Sequence, residues 1–97
     1  MIIRILGEGK FDVPAAAVPA LDRFYSEMAE TIRADDAEAF ARSLSTLLSE
    51  VRSRGAHLGT DRLGDFDALV PPKDATVEDA RIVAQLVAQL RAGLIPG

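Results

Sequence analysis

Residues 1–14 read MIIRILGEGKFDVP, and what this stretch forms decides the fold. Ile2, Ile3, Ile5 and Leu6 are strand formers in a short run stopped by Gly7, with apolar side chains on both faces. Beyond Gly7-Glu8-Gly9, Phe11 and Val13 alternate with Lys10 and Asp12, the pattern of a half-buried strand. Two short strands joined by a few glycine-containing residues make a β-hairpin. Pro14 ends the second strand because it has no N–H to give to a ladder. The same glycines invite comparison with a phosphate loop. A dinucleotide fingerprint, however, needs a third glycine where Asp12 stands, and a helix where the second strand pattern runs. A P-loop needs Ser or Thr after Gly9-Lys10, and Phe11 follows. Gly7-Glu8-Gly9 therefore reads as a hairpin bend and not as a phosphate site.

Composition narrows the classes. The 97 residues allow one domain with a limited core. About half of them are apolar and a quarter charged, as in ordinary globular proteins. A net charge of −4 argues against a nucleic-acid footprint and against direct binding to anionic lipid. With no cysteine there is no disulfide scaffold, no zinc–thiolate site and no thiol nucleophile. No apolar run is long enough to span a bilayer, and the N-terminus does not read as a signal peptide. The expected location is the cytoplasm, without membrane insertion.

Helical periodicity follows the hairpin. Over residues 15–33, Val18, Leu21, Tyr25, Met28 and Ile32 recur at spacings of three and four. Asp35 and Asp36 interrupt the chain, each a fair N-cap, and Asp35 with Glu38 has capping-box spacing. Ala37, Phe40, Leu44, Leu47 and Val51 then repeat the stripe, with Leu48 beside it, until Arg52, Arg54 and Gly55 mark an end. So short a connection predicts an antiparallel αα-hairpin. Residues 56–65 are rich in glycine and aspartate and read as loop. Phe66-Asp67-Ala68-Leu69-Val70 supplies a third strand before two prolines. Thr76 caps a last helix whose apolar face is Val83, Leu86, Val87 and Leu90, with Gly93 as its stop. The aliphatics of the tail Leu94-Ile95-Pro96-Gly97 are expected against the core. The fold class is α+β: a β-hairpin or three-stranded sheet, in the order β-β-α-α-β-α, packed against the αα-hairpin and a C-terminal helix.

The chemistry-bearing residues make no constellation. His57 is the single histidine and is expected in an exposed loop, with no Gly-x-Ser-x-Gly elbow anywhere. Asp61, Asp65 and Asp67 near it lack EF-hand spacing and read as a solvated loop. Asp35-Asp36 and Glu78-Asp79 sit at helix starts, where capping accounts for them. No catalytic residue, cofactor or metal is expected. The open point is the first strand: Ile2 and Leu6 point one way, Ile3 and Ile5 the other, and one pair lacks an obvious cover.

Three stretches taken together, MIIRILGEGKFDVP, LVPPKDATVEDAR and GLIPG, resemble the PspA-associated proteins (PspAA type), small domains encoded beside PspA-like proteins in actinobacteria and archaea. The resemblance spans the whole chain, although residues 81–90, RIVAQLVAQL, are more apolar than it implies. It implies an adaptor in a phage-shock-type envelope stress response. The implied partner is a PspA-like coiled-coil protein, related to the membrane-remodelling ESCRT-III group, through which the chain would be membrane-peripheral. Gly7, Glu8 and Gly9 match the family's opening motif without an assigned role. The surplus apolar strand makes Ile3, Ile5, Leu6 and Phe11 the candidate partner-binding residues. The alternatives are a homodimer through the same strand and a small phosphate- or metabolite-binding sensor at the Gly7–Gly9 turn.

Overall fold

The computed structural model describes residues 1–59 and 66–91, the side chains of 89–91 excepted. Asp61, Asp65, Gly93, the tail 94–97 and the Leu90 side chain thus lie outside the described residues. The elements run β1 (Ile2–Ile5), β2 (Gly9–Asp12), a 3-10 turn (Ala15–Ala17), α1 (Val18–Arg33), α2 (Ala37–Arg54), β3 (Ala56–Gly59), β4 (Ala68–Val70) and α3 (Val77–Arg91). The α+β class is as expected, with one strand more than the sequence pattern suggests.

β1 and β2 form the expected hairpin, pairing Ile3 with Phe11 and Ile5 with Gly9. The bend closes through the Glu8 N–H donating to the Ile5 carbonyl at 2.9 Å. Gly7 lies at φ 86°, at the turn position that needs glycine. The sheet order is β3-β2-β1-β4. β4 runs parallel to β1, with Ile3 opposite Ala68 and Ile5 opposite Val70. This is the strand expected over residues 66–70, three residues long. The segment expected to be all loop is corrected in part: residues 56–59 are β3, an antiparallel edge strand on β2. Its sequence, Ala-His-Leu-Gly, has no apolar alternation because little of it is buried. The exposed rim of β2 supplies the pairing, and a register irregularity at Lys10/Phe11 accommodates it.

The helices cover one face of the sheet. α2 buries Phe40, Leu44, Leu47, Leu48 and Val51, and α1 buries Leu21 and Met28. These meet Ile3, Ile5, Phe11, Val13 and Val70 from the sheet, and Val77 and Ala80 from the start of α3. The α1–α2 connection divides its two aspartates between different tasks. Asp36 is the N-cap, its carboxylate accepting the Ala39 N–H at 3.1 Å. Asp35 instead takes the left-handed position (φ 56°) of a Schellman ending. There the Asp36 N–H reaches the Thr31 carbonyl and the Asp35 N–H the Ile32 carbonyl. Thr76 caps α3 as expected, in a reciprocal box: its hydroxyl accepts the Asp79 N–H while the Asp79 carboxylate accepts the Thr76 N–H.

Candidate interaction surface

The hairpin bend is built into a polar brace. Gly7 and Gly9 turn the chain so that Glu8 faces the last turn of α2. There Arg52 Nε donates to Glu8 Oε1 at 2.8 Å while Nη2 reaches Oε2, a bidentate fork. The hydrogen bonds from Arg52 hold the Glu8 carboxyl below its usual range. Partial burial opposes them, and the charges of Arg52, Lys73 and His57 add to the lowering. The same pairing raises Arg52. His57, on β3, places Nε2 2.9 Å from the Glu8 carbonyl oxygen and stacks its ring 4.7 Å from that of Phe11. The histidine expected in a loop is thus a strand residue tying the sheet edge to the bend. A pocket of about 300 Å³ adjoins the bend, lined by Leu6, Glu8, Arg52 and Lys73 among others.

The brace has a pH signature. A carboxylate whose folded pKa is depressed contributes stability above its unfolded pKa and loses that contribution as pH falls through the folded value. Arg52→Gln is therefore expected to cost about 0.5–1 kcal/mol at neutral pH, modest because Arg52 is 42% exposed to water. The gap from wild type should close as the pH falls through and below the ordinary carboxylate range. Urea unfolding at neutral and at acid pH measures it, and a gap that persists in acid would remove Glu8 as its source.

Of the residues singled out for partner binding, Ile3, Ile5 and Phe11 are buried and face the helices. Leu6 is half-buried at the bend, and on the outward side of β1 Ile2 and Arg4 are also half-buried. The helices cover the Ile3/Ile5 side, so the surplus apolar surface lies elsewhere. Two pockets open between α1 and the β4 edge of the sheet, the second walled by α3 as well. One, of about 190 Å³, is lined by Ile3, Leu21, Leu47 and Val70, with Asp22 and Asp67 also at its wall. The other, of about 80 Å³, is lined by Met28, Ile32, Leu69, Pro71 and Val83. Tyr25 lines both. It is 37% exposed, and its hydroxyl lies 3.4 Å from the Leu69 carbonyl. Sequence reasoning placed Tyr25 in the core stripe; the signal it carried was a polar tip at an otherwise apolar position.

α3 also departs from expectation. Its first turns pack through Val77 and Ala80, and Arg81 bonds the Ile32 carbonyl and Asp35 at the end of α1. Farther along, Val83 and Val87 are half-buried, but Leu86, expected on the core face, is 49% exposed and Ile82 is 59% exposed. The core thus takes the start of this 15-residue helix, through Val77 and Ala80.

Among the described residues, no three His, Asp or Glu side chains gather as metal ligands would. Nor is any described helix long and apolar enough to cross a membrane. Neither the curated proteins nor the solved structures contain a match to this chain. One family model does match, described as PspA-Associated protein, and it aligns with residues 1–97. With the hairpin bend, the strand before the paired prolines and the capped last helix all inside that match, the chain belongs to the PspA-associated protein family.

Proposed function

We propose that this protein is a non-enzymatic adaptor that binds a PspA-like coiled-coil protein and tunes its action in a phage-shock-type envelope stress response. The observation that carries the reading is the family match over the full 97 residues. The disposition of the reactive side chains supports it. Glu8 and Arg52 are engaged with each other, and His57 is engaged by the Glu8 carbonyl and by Phe11. Each is thus spent on holding the bend to α2 and β3. The apolar pockets between α1 and the β4 edge, by contrast, are of the kind that protein partners cover. On this reading the protein works in the cytoplasm and reaches the membrane through its partner. Tagged protein should co-purify with the PspA-like protein from the same source, at a ratio that persists through washing. An equal yield from a tag-only control would end this reading.

A further inference from the structure

We infer that the groove between α1 and the β4 edge is the docking site for an amphipathic helix of the PspA-like partner, one that carries bulky apolar side chains beside a basic flank. This rests on the adaptor reading above and assigns it a surface.

The two pockets share Tyr25, and their α1 wall runs from Val18 to Ile32. That wall is roughly 20 Å long at about 1.5 Å rise per residue, close to four helical turns. Pockets in line along a helix suit apolar anchors at i, i+3/i+4 and i+7 of a partner helix. The half-exposed tyrosine between them is one of the residue types enriched as anchors of such contacts.

An added strand fits this edge less well. β4 has only three residues, and Pro71-Pro72 follow it without N–H groups to extend a ladder. Its outward Leu69 carbonyl already faces the Tyr25 hydroxyl.

Charge sets the polarity of the occupant. Among the described residues, the charged side chains lining either pocket are Asp22 and Asp67, both exposed and both at the larger one, with Asp67 also accepting the Ile2 N–H. The Met1 ammonium at the same end is engaged by the Val13 carbonyl and Asp12. Lysine or arginine on the partner beside its apolar ridge complements that end.

The experiment titrates the full chain against the purified PspA-like protein by calorimetry. Tyr25→Ala removes the shared wall, and Ala84→Trp fills the smaller pocket from an exposed helical position that the core does not use. Each should weaken binding about tenfold or more and keep a cooperative melting transition well above the assay temperature, while Asp22→Lys should weaken it most at low salt. Ile82→Ser/Leu86→Ser, on the exposed part of α3, should bind as wild type does. Wild-type-like binding by both Tyr25→Ala and Ala84→Trp would overturn the groove and leave the adaptor reading intact. So would loss of binding in the Ile82/Leu86 variant alone. A wild-type chain that shows no heat with the PspA-like protein defeats both proposals. Dimerisation of the isolated chain that Tyr25→Ala abolishes would assign the groove to a second copy instead.

Discussion

Ile5→Asp is expected to abolish the cooperative unfolding transition at 25 °C, whereas Ile5→Val keeps it. Ile5 is 0% exposed, flanked by Gly9 of β2 and Val70 of β4, on the sheet face that meets the helices. A carboxylate there must either stay charged without water or be protonated with no polar partner close by. Either state costs several kcal/mol, a large part of the roughly 5–15 kcal/mol that holds a typical domain together. Removing one methyl as valine costs only about 1 kcal/mol. Far-UV circular dichroism with urea titration distinguishes them. A sigmoidal Ile5→Asp curve with the wild-type midpoint would mean that this strand does not sit in the core. The result also bears on partner binding, because an aspartate at Ile5 that loses the partner reports unfolding rather than a damaged docking face.

Gly55→Ala is expected to destabilise the chain by about 1–3 kcal/mol, lowering the melting temperature by roughly 5–20 °C for a domain of this size. The reason is not conformational. Gly55 ends α2 at φ −101°, ψ 159°, extended backbone open to any residue. An added methyl, however, would stand 3.0 Å from the Val51 carbonyl oxygen, 3.1 Å from Phe11 Cβ and 3.2 Å from Val13 Cγ2. A helix carbonyl and a Cβ cannot rotate aside as a flexible side-chain tip can, so the end of α2 must move off β2. Gly7 provides the contrast: its φ of 86° demands glycine, yet nothing lies within 4 Å of an added Cβ. Its substitution strains the bend and leaves the packing alone. Calorimetric melting of Gly55→Ala decides the matter. A melting temperature equal to or above wild type would show that α2 and β2 have room to spare.

The parts of the fold legible in the sequence are those with a strong period. Leu21 and Met28, and Phe40 through Val51, recur every three or four residues because one stripe of each helix meets the sheet, and the burial follows that stripe. The hairpin was legible from its glycines and its alternation. β3 was not, because an exposed edge strand writes no apolar pattern and is specified by the partner strand it pairs with. Arg52 carried an ambiguous signal: in a last helical turn, cations favour the helix dipole whether or not a glutamate waits 44 residues away in sequence. The groove was illegible for a related reason. Tyr25 and Leu69 belong to separate periodic segments, and only the parallel docking of β4 on β1 brings them together. The exposure of Leu86 shows the limit of periodicity itself, which identifies an apolar face but not whether anything is present to cover it.

That parallel pairing also orders events in time. β1 sits inside the sheet, yet one of its two neighbours, β4, follows it by some sixty-five residues, with the Ile2 N–H held by Asp67. A chain emerging from the ribosome can close the hairpin and the helical pair early, from segments near in sequence, and add β3 to β2 once residues 56–59 are made. Through that interval the far edge of β1 keeps its unpaired backbone groups, a template for pairing with another nascent copy. β1, made before the strands it pairs with, is among the last to be sealed, and the window of risk for aggregation closes only when residues 68–70 arrive.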